Sequence, residues 1–268
     1  MTEEYASGKL LLDRPAEAVA RITIRNPAKR NALDHEILDG IASLMAELDD
    51  GIATRCVVIT GSDGMFSAGY DIGDIPDEVF AEEAERLVAH PFSRAIQAVE
   101  AFPFPTLAAV NGHALGGGLE LALTCDLRIA ARGVKLGMPP AKLGLIYSHT
   151  GLQKFIDTVG PARTRELFLV GRNVDADRAE QIGLVNEVAG PDELDETALA
   201  LSAEIASNAP VSLKGNKEII NRLVGFARLS EKEEQEVISL RLSSFRTSDF
   251  REGVRAFGEK RKPHWEGR

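Results

Sequence analysis

Cysteine is scarce in this 268-residue chain: Cys56 and Cys125 lie far apart, each in an apolar segment. That excludes a disulfide framework and a thiolate metal site, and such residues ordinarily serve as small buried hydrophobes. Long apolar runs are also missing, since none approaches the ~20 residues a membrane-crossing helix needs. The five histidines are scattered, and His35-Glu36 has no second histidine four residues on to make a zinc motif. Basic residues are outnumbered, 31 Lys and Arg against 41 Asp and Glu, for a net charge of −10. An acidic total of this size argues against nucleic acid or a membrane surface as partner. The N-terminus, MTEEYASGKL, is acidic and polar, unlike a signal or transit peptide, so a cytoplasmic protein is expected.

What is present suits a globular chain, with 44% hydrophobic and 27% charged residues. Ala18–Asn26 alternates like a half-buried strand. Leu33, Ile37, Ile41, Leu44 and Leu48 then share one helical face. Arg55–Gly61, Pro105–Gly112 and Asp126–Ala131 read as short buried strands, and the run after Gly116-Gly117-Gly118 reads as a helix. Alternating strands and helices predict an α/β core. Asp77–Glu100 reads as a helical, acidic insertion. Beyond Pro191 the pattern is helical and charged, broken at Asn208-Ala209-Pro210 and Thr247-Ser248-Asp249. Two regions are therefore expected, a core over residues 1–195 and a helical appendage over 196–268.

One carboxylate is out of place. Glu120 follows the three glycines inside VNGHALGGGLELALTCDLRIAA, with apolar neighbours on nearly every side. A helix start bare of Cβ atoms offers unpaired N–H groups to a ligand atom. A carboxylate in apolar surroundings is a candidate for a raised pKa and for proton transfer. A second glycine-bearing turn, Gly64–Ile75, contributes Ala68-Gly69, and two N–H donors meeting one oxygen would form an oxyanion hole.

The segments NPAKRNALD, FSAGYDI, NGHALGGGLELALTCDLRIAA, AEQIGLVNEV and EGVRAFGEKRKPHW, in that order, resemble the crotonase (enoyl-CoA hydratase/isomerase) superfamily. The resemblance implies a core of stacked β-β-α turns, a helical C-terminal region, and a homotrimer or dimer of trimers. It implies an acyl-CoA thioester substrate, no cofactor beyond the coenzyme A that the substrate carries, and an enolate intermediate. By the same resemblance Ala68 and Gly117 donate the oxyanion-hole N–H groups. Lys29, Arg30, Ala68, Asp71 and Ile72 line the coenzyme site, joined by Phe257 and Lys260 from the C-terminal segment. Cations are chemically sensible beside phosphates.

Hydratases of this superfamily use two glutamates. Glu120 matches the first, but Pro140 stands at the second, and no acid occurs between Asp126 and Asp157. The loop MPPAKLGLIY instead resembles that of methylmalonyl-CoA decarboxylase and its relatives, in which a tyrosine at the position of Tyr147 faces the substrate carboxylate. Tyrosine, with an ordinary pKa of about 10, would act there as a hydrogen-bond donor. Tyr70 departs from that pattern, which carries histidine. An ionised Glu120 would repel a substrate carboxylate by about 4 kcal/mol at 4 Å and an effective dielectric of 20, so either Glu120 is neutral or the carboxylate lies toward Tyr147. Ile75, Leu115, Leu143 and Ile146 are expected around the acyl group. Decarboxylation of a short malonyl-type thioester is the leading expectation. Hydration or isomerisation by Glu120 alone is the alternative, and a non-catalytic acyl-CoA- or RNA-binding homologue is the reading from another class. Ser148-His149 would be needed for a hydrolase, but adjacent loop residues seldom hold nucleophile–base geometry.

Overall fold

A computed structural model describes residues 2–71, 86, 88–224 and 230–266. Two sheets carry the fold. The larger runs β1-β2-β3-β4-β6-β8-β11, with β1 Thr2–Tyr5, β2 Leu10–Ala16, β3 Val19–Ile24, β4 Cys56–Gly61, β6 Thr106–Val110, β8 Leu127–Ala131 and β11 Glu187–Ala189. From β3 to β11 its strands are parallel, while β1 and β2 add an antiparallel edge. The smaller sheet runs β10-β9-β7-β5, with β5 Met65–Ser67, β7 His113–Leu115, β9 Lys135–Gly137 and β10 Val174–Asp175.

Most expected elements form. β4 and β6 are buried along their whole length, as continuous apolar runs in a covered parallel sheet should be. The helix His35–Leu48 starts where the Asp34 side chain accepts from the Ile37 N–H at 2.9 Å. It buries Ile37, Leu38, Ile41, Leu44, Met45 and Leu48 on one face. Both cysteines are free and buried, and burial pushes each thiol up to about 12. β1 and β2 lie upstream of the first expected strand, where three successive leucines blur the two-residue period that betrays a half-buried strand. Of the acidic insertion, the described part is Arg86, then a helical turn, Val88–Phe92, running into the helix Ser93–Ala101.

Downstream of β11 the chain is helical: Leu194–Ser207, Pro210–Val224, Glu231–Ser244 and Ser248–Gly258. The boundary expected between residues 195 and 196 falls inside the first of these, whose Leu194, Ala198, Ser202, Ile205 and Ala206 are buried against the large sheet. The next helix is tied down by one buried cation. Lys217 Nζ donates to Asp126 Oδ2 at 2.6 Å and to the Phe104 carbonyl at 3.0 Å. Pairing and hydrogen bonding together make burial of an ammonium tolerable.

Candidate active site

The three parallel strands of the small sheet, β5, β7 and β9, all end at one place. Ligands of open parallel sheets gather outside the carboxyl ends of strands, and here those ends deliver Ala68 to Tyr70, Gly116 to Glu120, and the loop through Pro140 to Tyr147. Glycine is required at the second of these. Gly116 has φ 52° and ψ −125°, a conformation open to residues without a Cβ. A Cβ on Gly117 would lie 2.6 Å from Tyr70 Cε1, so the tyrosine ring rests directly on the start of the helix Gly117–Thr124.

The N–H groups at this junction differ from the sequence expectation in one respect. Ala68 was the expected donor, but its N–H is committed to the Arg30 carbonyl at 3.0 Å. The next, Gly69 N–H, bonds Ser67 Oγ at 3.2 Å. Tyr70 forms a parallel bridge with Leu33, in which Leu33 N–H bonds the Gly69 carbonyl and Asp71 N–H bonds the Leu33 carbonyl. In that geometry Tyr70's own N–H turns away from Leu33, toward the β7 side, where a Cβ on Gly69 would stand 3.3 Å from Gly117 N. Neither Tyr70 N–H nor Gly117 N–H has a hydrogen-bond partner among the described residues. The available donor pair is therefore Tyr70 with Gly117, two residues along from the expected Ala68. A parallel bridge decides which N–H faces the cleft, and sequence spacing does not reveal it.

Glu120 is 2% exposed. Tyr147 donates to its Oε2 at 2.5 Å, and the Tyr147 oxygen lies 3.3 Å from that of Tyr70. Since Tyr147 has one proton and gives it to Glu120, Tyr70 is the donor to Tyr147. A chain of three groups results, Tyr70 to Tyr147 to Glu120. Burial raises the Glu120 pKa above the ordinary carboxylate range, against the opposing pull of the Tyr147 hydrogen bond and the Lys154 and Arg241 charges. Burial also raises both tyrosines, helped by the Glu120 charge, so each hydroxyl keeps its proton at neutral pH. Edge-on rings hold the tyrosines: Phe92 at 4.8 Å from Tyr70, and Phe168 at 5.3 Å from Tyr147. Gly151 leaves the space this pair occupies, because a Cβ there would meet Tyr147 Cε1 at 2.6 Å and Glu120 Oε1 at 2.9 Å.

Pro140 is buried and opens the short helix Pro140–Leu143, so it supplies no acid. Glu100 is a carboxylate whose charge reaches Glu120, but it is ion-paired with Lys154. Ser148 caps the helix His149–Arg165 by accepting from Gly151 N–H at 3.1 Å, and His149 faces Glu234 at 3.4 Å. Those contacts make Ser148 a helix cap and His149 a partner of Glu234, in place of a nucleophile–base pair. Lys29 is exposed and pairs with Asp71 at 2.8 Å, beside exposed Arg30. Buried Asn31 holds that turn against the strand ahead of the donor pair by donating to the Ser62 and Met65 carbonyls. Phe257 and Lys260 are exposed at the end of the last helix, and no hydrogen bond or ion pair links their side chains to the site among the described residues. Of the expected acyl-pocket residues, Leu115 is half-buried, Leu143 packs with Phe245 and Phe250, and Ile146 is exposed. Ile72 and Ile75 lie outside the described residues.

Residues 14–268 match the family model described as Enoyl-CoA hydratase/isomerase. The chain belongs to that family, the crotonase superfamily of acyl-CoA enzymes. It is 34% identical to the short-chain-enoyl-CoA hydratase of Clostridium acetobutylicum over 250 residues, covering 91% of this chain and 92% of the relative. Among solved structures, a methylmalonyl-CoA decarboxylase in complex with 2-nitronate-propionyl-CoA superimposes with a TM-score of 0.88 at 26% identity, over 97% of this chain and 99% of the other. An enoyl-CoA hydratase from Bacillus anthracis gives 0.74 at 30% identity, over 97% and 100%. Among the described residues no helix is long and apolar enough to cross a membrane.

Proposed function

We propose that the protein decarboxylates a short malonyl-type acyl-CoA thioester, with methylmalonyl-CoA as the working substrate. The observation that carries this reading is the Tyr70–Tyr147–Glu120 chain, in which Glu120 is partnered by a tyrosine hydroxyl and not by a second carboxylate. The TM-score of 0.88 to a methylmalonyl-CoA decarboxylase supports it further. The thioester oxygen is held by Tyr70 N–H and Gly117 N–H. The bond from Cα to the carboxylate carbon breaks, its electron pair moves onto the thioester as an enolate, and CO₂ leaves. No base is needed for this step, only stabilisation of the oxyanion. Glu120, whose burial favours the protonated form, then delivers a proton to Cα, and solvent returns one to Glu120. The chemistry asks for no cofactor beyond the coenzyme A portion of the substrate.

Lys29 and Arg30 suit the nucleotide phosphates, with Asp71 orienting Lys29, and Phe257 and Lys260 suit a coenzyme bound to an adjoining subunit. Exposed Val211, Ile219, Ile220 and Leu223 on the helix Pro210–Val224 support a homotrimer or paired trimers. The acidic charge balance fits the cytoplasm.

The reading is tested by incubating the protein with methylmalonyl-CoA and, separately, crotonyl-CoA, following acyl-CoA products by mass spectrometry. Propionyl-CoA is expected from the first, and Tyr147→Phe is expected to lower its formation at least tenfold while Glu120 stays in place. Water addition to crotonyl-CoA, lost in Glu120→Gln and spared in Tyr147→Phe, would instead make the protein a one-glutamate hydratase, the activity its sequence relatives are named for.

A further inference from the structure

Arg241 stands near the end of the helix Glu231–Ser244, and nothing in the reaction outlined above uses it. That end of the helix is fastened to the loop bearing Tyr147, because Ser244 Oγ accepts from the Ile146 N–H at 3.1 Å. The guanidinium lies 5.8 Å from the centre of the Phe245 ring. Phe245 is itself buried in a cluster that includes Tyr70, Leu143 and Leu145. A cation therefore flanks the tyrosine chain, and its charge is felt at both Glu120 and Tyr70.

Its bonding is incomplete. Among the described residues Arg241 Nε is buried with no hydrogen-bond partner, and no carboxylate forms an ion pair with the guanidinium. The nearby acids are otherwise engaged: Glu120 with Tyr147, Glu100 with Lys154, Glu234 with His149. A buried guanidinium N–H without an acceptor is costly. Arginine also presents a rigid fork of donors matched to the two oxygens of a carboxylate.

We propose that Arg241 recognises a carboxylate on the acyl group of the substrate, beside Tyr70 and Tyr147, while the thioester oxygen occupies the Tyr70 and Gly117 N–H groups. This rests on the malonyl-type reading of the substrate and names its specificity residue. It also meets the repulsion problem, because a cation beside the carboxylate offsets whatever negative charge Glu120 carries.

The test uses two unreactive thioethers, 2-carboxypropyl-CoA and isobutyl-CoA, which differ only by carboxylate against methyl. Calorimetric titration of the full-length protein should show the carboxylated probe bound at least tenfold more tightly, a preference lost in Arg241→Met and in Arg241→Gln. Affinity for isobutyl-CoA should stay within about twofold in both variants. A preference that survives either substitution, or is absent in the wild type, overturns the proposal, as does equal weakening of both probes. If one variant fails to fold, the other decides. Because neither probe can lose CO₂, the result is independent of turnover. A lost preference in a protein that releases no CO₂ from methylmalonyl-CoA would keep Arg241 as carboxylate binder and retire decarboxylation. Normal CO₂ release with the preference intact in the variants would retire Arg241 alone.

Discussion

Gly117→Ala is expected to lower kcat by about 10²–10³, the usual cost of losing one oxyanion-hole donor. The new methyl would arrive 2.6 Å from Tyr70 Cε1 and 2.9 Å from Cδ1. The Tyr70 ring is packed edge-on against buried Phe92 and bonded through its hydroxyl to Tyr147, so it cannot swing aside without breaking that chain. Relief has to come from displacement of the Gly117 backbone, which carries the donor N–H. Steady-state kinetics on methylmalonyl-CoA, beside a thermal melt to separate lost activity from lost fold, make the measurement. A folded Gly117→Ala with unchanged kcat would show that the Tyr70 and Gly117 N–H groups do not hold the oxyanion.

Glu120→Gln should abolish most activity and yet stabilise the protein, increasingly so as pH rises. Loss of a general acid typically costs 10²–10⁴ in rate. The stability effect follows from the raised pKa of the buried carboxyl. Between the ordinary carboxylate pKa of about 4.3 and the folded value, the native state holds a proton that the unfolded chain has released. Stability therefore falls with rising pH across that window, by about 1.36 kcal/mol for each unit of elevation. Glutamine has the same shape, accepts from Tyr147, and has no such slope. Wild type and variant should melt together near pH 4 and diverge above it, the variant higher by about 2 °C or more for each unit. Melting curves over pH 4 to 8 decide the matter, and parallel curves would mean that Glu120 ionises in the folded protein as readily as in the unfolded chain.

Much of the site is legible in the sequence. Glu120 stood out because a charge among apolar neighbours needs a physical reason, and Pro140 because a pyrrolidine ring has no proton to exchange. Tyr147 was visible once Pro140 had emptied the second acid position. Tyr70 was noticed as a departure, and its ring proves to be both the wall behind Gly117 and the first donor of the hydroxyl chain. Gly151 carried no signal, since its role is the space it leaves for two side chains distant in sequence. Arg241 carries no local signal, since the helix that bears it is rich in charge.

By itself the sequence determined the alternation of buried strands and helices, the helical C-terminal region, the acidic surface balance and the residue types able to do chemistry. These follow from local properties: apolar period, turn residues, and the cost of burying charge. Only the tertiary structure decided that Tyr70 N–H, and not Ala68 N–H, faces Gly117, because strand pairing fixes which side of an extended chain is occupied. It alone brought Tyr147 to Glu120 across 27 residues, and the Arg241 charge within reach of Glu120 and Tyr70 from the far end of the chain. Such contacts depend on how separate elements pack, and no local pattern encodes the distance between residues that meet only in the folded core.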